Sequence, residues 1–418
     1  MFEKYTLKNN AKVILIPQEN AHSTTVLVVY PIGSRYENAK MSGVSHYIEH
    51  LMFKGTKKRP NTRILTREID RLGAEYNAFT AKEHTGYYIK ADSKFIETSL
   101  DILSDMLFNS LFDKKEMERE KTVIVEELRM YKDNPIMNIE NIFEEMMYKA
   151  PLGRDVGGTE KTVMSFARAD VLAFKRKYYD SSNATVVVAG DITEAVKNLL
   201  EKYFGAEESK QTPAKQFQPA VFGAAAKDKR IFIEKKKTDQ VQMMLGFPGF
   251  EYNAKENIIF NVLNTILGGS MSSRLFIQVR ERRGLAYSIY SGAENYRDAG
   301  HVYVRVGLEA KNVNKALIVI KQEINKIKNK GVANQELEDA KTHLRGRVTL
   351  SMENSNVQAS WYAGQSLFLE KIETPEERLA RIDQVTDDEI RALAKKVFNM
   401  KKMRVSIIGD LEKRDVNF

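Results

Sequence analysis

The chain repeats itself. TTVLVVYPIGSRYEN (24–38) is matched by DQVQMMLGFPGFEYN (239–253), in each case a strand-like run entering a Pro-Gly-type turn. NSLFDKKEMEREKTVIVEELRMYKDNP (109–135) aligns without gaps with NKGVANQELEDAKTHLRGRVTLSMENS (329–355), an offset of 220 throughout. NATVVVAGDIT (183–193) is answered by MRVSIIGDLE (403–412), a strand closing on Gly-Asp. Three matches in one order predict a duplicated domain, so whatever one half builds the other must be able to build as well. Each half mixes strands with long helices and lacks strict βαβ alternation, which predicts an α+β class with two homologous domains in tandem. Between the halves, ESKQTPAKQFQPAVFGAAAKDK (208–229) has no sustained periodicity and reads as a linker. The expected division is 1–208, a linker at 209–229, and 230–418.

Composition narrows the chemistry. Among 418 residues there is no cysteine, which excludes disulfides and thiolate metal sites; any metal must be held by His, Asp or Glu. The start, MFEKYTLKNN, has no secretory pattern, and no run of about eighteen apolar residues occurs. A cytoplasmic protein without a membrane span is the expectation. The net charge of +9 invites a nucleic-acid reading, but the lysines are interleaved with glutamate, as in KKEMEREK (114–121), and the basic runs Lys235–Lys237 and Arg280–Arg283 are short. No nucleic-acid partner is expected.

Against this background GVSHYIEHLMFKGT (43–56) stands out, with two of the six histidines in one helical stretch. Ser42 is the expected helix cap and Gly55 the expected stop. At 100° per residue Val44, Ile48, Leu51 and Met52 make one apolar face, while His46, Glu49, His50 and Phe53 fall opposite. Packing therefore does not require the histidines. Imidazoles four apart on a helix can converge on one ion, with Glu49 beside them to reach a water. The order HxxEH is the inverse of the HExxH zinc-protease signature.

Two imidazoles leave a zinc ion short of a third protein ligand. His22, His84 and any carboxylate are candidates. The helix expected over 114–131 places Glu120, Val123, Ile124 and Glu127 on one stripe, two carboxylates on an otherwise apolar face. Buried carboxylates are costly unless paired or bound to metal. In the second half the same register has Ala340 for Glu120 and Arg347 for Glu127, so the shared fold does not need either acid. Glu126, on a different face, is the main rival as ligand.

These segments together resemble the pitrilysin/insulinase (M16) family of zinc peptidases. The resemblance is strongest to its half-length processing-protease branch, which includes the β subunit of the mitochondrial processing peptidase. It covers essentially the whole chain, with HYIEH at the family's inverted motif and EKTVIVEELRMYKDNP (120–135) at its downstream glutamate block. The resemblance implies the LuxS/MPP-like metallohydrolase fold, with two domains facing across a cavity. It implies Zn2+ held by His46, His50 and Glu127, Glu49 as general base, and Glu120 supporting a ligand. Glu127 lies 77 positions after His50, at the family's spacing.

GAEYNAFTAKEHTGYYI (73–89) resembles the family's edge-strand segment, so Asn77 and Ala78 are implied to bind an extended peptide through main-chain pairing. In GGSMSSRLFIQVRERRGLAYSIYSG (268–292), Arg280 and Tyr287 are implied to hold the substrate backbone and stabilise the oxyanion. The expected activity is endopeptidase cleavage of peptides or unfolded polypeptides in a closed chamber. A homodimer is the expected assembly, with a heterodimer the other arrangement the family uses. The competing function is that of a non-catalytic structural or partner subunit of the same fold.

Overall fold

Runs rich in valine and isoleucine become the strands of two sheets. The computed structural model describes residues 2–206, 217–224 and 226–418. Of the expected linker, 209–216 and 225 lie outside the described residues. The first sheet has β1 (Glu3–Thr6), β2 (Lys12–Pro17), β3 (Ser23–Tyr30), β4 (Glu75–Thr80), β5 (Thr85–Asp92) and β6 (Thr185–Gly190) in the order β1-β2-β6-β3-β5-β4. The second has β7 (Ile231–Lys235), β8 (Val241–Pro248), β9 (Ala286–Asn295), β10 (Gly300–Leu308) and β11 (Arg404–Gly409) in the order β7-β11-β8-β10-β9. With β1 set aside the two orders are the same. Each sheet has one parallel pair, β2 with β6 and β7 with β11, in an otherwise antiparallel ladder. The three sequence matches fall on equivalent elements: β3 with β8, helix Lys114–Asp133 with helix Asn334–Ser351, and β6 with β11. The α+β duplication read from the sequence is therefore present as architecture.

The chain divides into two units, but these are not its contiguous halves. One is built from Met1–Arg129, Arg154–Gln218 and Leu350–Ile372; the other from Met130–Gly153, Pro219–Thr349 and Glu373–Phe418. The reason lies in what covers the sheets. β6, TVVVAG, is buried along its whole length, so both faces of the first sheet must be screened from water. One face packs on helices of the first half. The other face, with Ile14, Leu27, Val29 and Val187, is covered by Ala359, Tyr362 and Ala363 of helix Ser355–Phe368, whose start is tied to β3 by a Thr25–Ser355 hydroxyl contact of 2.8 Å. Reciprocally, helix Pro135–Met147 of the first half covers Met244 and Ile408 of the second sheet through Ile139, Phe143 and Met147. Each half of the sequence thus lends a helix to the other's sheet. Phe143→Ala should cost about 3–5 kcal/mol by emptying a fully buried site, and urea unfolding should place that loss in the second unit although Phe143 belongs to the first half of the sequence.

For the site, the first unit matters most. The HYIEH segment lies in a helix (Val44–Leu51), and just past its end the Phe53 ring packs on Tyr76 of β4, 6.3 Å apart. Helix Lys114–Asp133 is bound to it by the Tyr47 hydroxyl, which donates to the Met117 carbonyl at 2.7 Å. No helix among the described residues is long and apolar enough to cross a membrane.

Candidate metal centre and active site

The helix carrying the two histidines buries the face expected of it, with Val44, Ile48, Leu51 and Met52 inaccessible to solvent. Its start differs from expectation. Ser42 does not cap it; the residue before the first turn is Gly43, at φ 93°, where a side chain would be strained and would meet the Gly157 carbonyl. The orphan N–H groups are taken instead by the buried Glu37 carboxylate, which accepts from Gly43 at 2.7 Å and Ser45 at 2.8 Å. A negative group here also faces the positive end of the helix dipole.

Burial pushes the Glu37 carboxyl up to about 7, with the two backbone N–H groups and Arg154 opposing the rise. Folded Glu37 then holds its proton more tightly than the unfolded chain. Its contribution to stability is fully present below about pH 4.5 and is lost as the pH rises through about 7. The loss amounts to about 3 kcal/mol. Urea midpoints measured from pH 4.5 to 8 should therefore fall more steeply for the wild type than for Glu37→Gln.

On the opposite face the ligand candidates converge. His46 Nε2 and His50 Nε2 are 3.2 Å apart, and the Glu127 carboxylate oxygens lie 3.8 Å from the first and 3.4 Å from the second. Among the described residues this is the one group of three or more His, Asp or Glu side chains placed to hold a metal ion. His50 Nδ1 faces Glu120 Oε1 at 2.9 Å, which assigns the ring proton to Nδ1 and leaves the Nε2 lone pair free. Burial, reinforced by His50, drives His46 down to about 4, so its ring is neutral at pH 7.

With its proton on Nδ1, His50 turns its Nε2 lone pair toward His46 Nε2 and the Glu127 carboxylate, a donor set that a cation placed among them would draw together. Ligand atoms at zinc bond lengths around a tetrahedral ion stand about 3.3 Å apart, close to the spacings seen here. The donor set fits such an ion.

Glu120 is almost fully buried, at 3% exposure, and lies behind His50. Burial opposes its charge, but His50 and Lys54 (Nζ to Oε2, 2.7 Å) outweigh it and hold the carboxyl below its ordinary range. In the second unit this position is Ala340, also buried, and the Glu127 position is Arg347, exposed. The stripe is only partly buried, because Val123 is 47% exposed. The rivals separate from the centre. Glu126 points to solvent and pairs with Arg129, His22 is exposed, and His84 is enclosed by the rings of Phe79 and Phe368.

Glu49 stands one position before His50. Burial pushes its carboxyl above the ordinary range, while the Thr80 hydroxyl pulls it back. Thr80 Oγ1 donates to Glu49 Oε2 at 2.6 Å. Sequence reading missed Thr80, Lys54 and Glu37; the only signal for Thr80 was its place in the NAFT segment beside Asn77 and Ala78, both on β4. Arg280 and Tyr287 belong to the second unit. The Arg280 guanidinium lies 4.8 Å from the Phe276 ring and 5.7 Å from the Tyr287 ring, and Tyr287, the second residue of β9, has 72% of its surface exposed.

Residues 12–160 match the family model described as insulinase (peptidase family M16), and residues 165–344 match the peptidase M16 inactive domain. A Bacillus subtilis protein described as an uncharacterized zinc protease is 34% identical over 399 residues, 95% of this chain and 96% of its own. A Streptomyces coelicolor protein so described is 32% identical over 416 residues, 99% of this chain and 90% of its own. The crystal structure of a protease from Helicobacter pylori superposes with a TM-score of 0.91 at 22% identity, covering 98% of this chain and 99% of that one, a likeness of fold.

Proposed function

Because the chain belongs to the insulinase (M16) family of peptidases, we propose that it is a zinc-dependent endopeptidase whose working centre is His46, Glu49, His50 and Glu127. The observation that carries this reading is the convergence of two imidazole Nε2 atoms and the Glu127 carboxylate beside Glu49, a partly buried carboxylate outside that group of three. Zinc supplies Lewis acidity toward a water and a peptide carbonyl. The chain's own residues do the rest. Glu49 accepts the proton of the attacking water and returns it to the leaving amine. Glu120, anchored by Lys54, keeps the His50 proton on Nδ1 and so keeps Nε2 a ligand.

The free edge of β4, the strand that carries Asn77 and Ala78, offers main-chain groups to an extended peptide, which favours broad sequence tolerance. We assign Arg280 and Tyr287 to the peptide backbone and the developing oxyanion; support comes from their place in the GGSMSSRLFIQVRERRGLAYSIYSG segment and from their mutual stacking. The same reading takes the working assembly as a homodimer acting on peptides or unfolded polypeptides within a closed chamber. Sedimentation together with mixing of Glu49→Gln and Tyr287→Phe chains tests this, since recovered activity in the mixture requires residues from two copies.

The test of the central reading is metal stoichiometry. Dialysed protein should retain about one zinc per chain by elemental analysis, chelation should abolish cleavage of an unfolded polypeptide, and added zinc should restore it. Cleavage that survives complete removal of the metal would exclude the reading.

A further inference from the structure

Strand β4 is the outer strand of the first sheet, so one side of its backbone is unpaired by any other strand. Which residues own that free side follows from the turn. Ala81 N–H donates to the His84 carbonyl at 2.8 Å, making 81 and 84 a hydrogen-bonded pair. In an antiparallel ladder bonded and non-bonded pairs alternate. Phe79–Gly86 and Asn77–Tyr88 are then bonded, and Thr80–Thr85, Ala78–Tyr87 and Tyr76–Ile89 are not. Tyr76, Ala78 and Thr80 therefore turn their N–H and C=O groups to the free edge. The Ala78 N–H agrees with this, since the Asn77 side-chain oxygen takes it at 2.9 Å.

The side chains of the same three residues point to the helix that carries HYIEH. The Tyr76 ring packs on Phe53, Ala78 is buried, and the Thr80 hydroxyl holds Glu49. Asn77 and Phe79, on the other face, are exposed. Thr80 is thus the residue that offers its backbone to the edge and its hydroxyl to Glu49. Among the described residues no other hydrogen bond reaches the Glu49 side chain.

We infer that Thr80 is a positioning residue, aiming Glu49 at the peptide unit that the Thr80 backbone itself binds. The inference rests on the proposed peptidase activity and on β4 receiving the substrate. Its physical content is that one residue fixes both partners of the proton transfer. A peptide paired on β4 is automatically in register with the base, and a base cut loose from the strand loses that alignment. Misplacement of a reacting group by about 1 Å costs on the order of 100-fold in rate. A merely structural role for Thr80 would instead show as lost stability or weakened peptide binding.

The test uses Thr80→Val, which keeps the β-branched shape and removes only the hydroxyl, with Thr80→Ser as the rescue. Thr80→Val should lower kcat by about 10- to 100-fold, with KM, zinc content and peptide affinity within about twofold of wild type. Thr80→Ser should recover to within about threefold. In a Glu49→Gln background, Thr80→Val should have no further effect on residual rate, because the group it positions is gone. Wild-type kcat in Thr80→Val overturns the inference, as does a kcat loss matched by lost zinc or raised KM, or a failure of serine to rescue. Full hydrolysis by Glu49→Gln is a different failure: it refutes the assignment of Glu49 as base and the role of Thr80 with it.

Discussion

Glu49→Gln should cleave peptides about a thousandfold more slowly than the wild type while binding zinc and peptide as before. Glutamine preserves the shape of the side chain and can still accept the Thr80 hydroxyl proton, but it cannot take a proton from water. The variant also removes a partly buried acid whose charge is disfavoured by desolvation, so its folding stability should not fall. Steady-state kinetics, elemental analysis and peptide titration measure the three quantities separately. A variant that retained full activity would show that the proton goes elsewhere. One that lost zinc as well would show that Glu49 holds the ion's surroundings together and is not a base.

The second large effect concerns the ligands. His50→Ala and Glu127→Gln should each remove bound zinc after dialysis and take peptide cleavage to background, because a site with two remaining protein ligands holds the ion poorly. Glu126→Gln, one residue away, should bind zinc normally, since that carboxylate is exposed and engaged with Arg129. Glu120→Gln should fall between the two, weakening zinc by about 10- to 100-fold through the orientation of His50. A Glu126→Gln variant that lost zinc while Glu127→Gln kept it would reverse the assignment. Equilibrium competition against a chelating dye resolves all four variants on one scale.

How much of this was visible in the sequence depends on the range of the forces involved. The duplication was legible because strand and helix patterns are local, and the offset of 220 linked Glu120 to Ala340 and Glu127 to Arg347 before any contact was known. The helical periods also placed His46 and His50 on a face that packing does not need and Glu127 on one stripe with Glu120, while the choice of Glu127 over Glu126 came from the resemblance to the M16 peptidases. The exchange of helices Pro135–Met147 and Ser355–Phe368 was hidden, because an apolar helix face specifies that it must be covered and not which sheet covers it.

The cap of the HYIEH helix was hidden for a related reason. Ser42 has the residue type that caps helices, yet a buried carboxylate from Glu37 takes the two N–H groups. Lys54 and Thr80 escaped notice since a lysine or threonine acquires a role only through the partner that folding brings to it, Glu120 for one and Glu49 for the other.

The most direct test of the account is a product analysis. Purified protein is incubated with a mixed library of unstructured peptides, and the products are read by mass spectrometry in three samples: untreated, chelated, and chelated with zinc restored. The account predicts internal cleavages at many sequences in the first and third samples and none in the second, with Glu49→Gln behaving like the chelated sample throughout. Cleavage that persists in chelator, or an intact library in the zinc-restored sample, would contradict it.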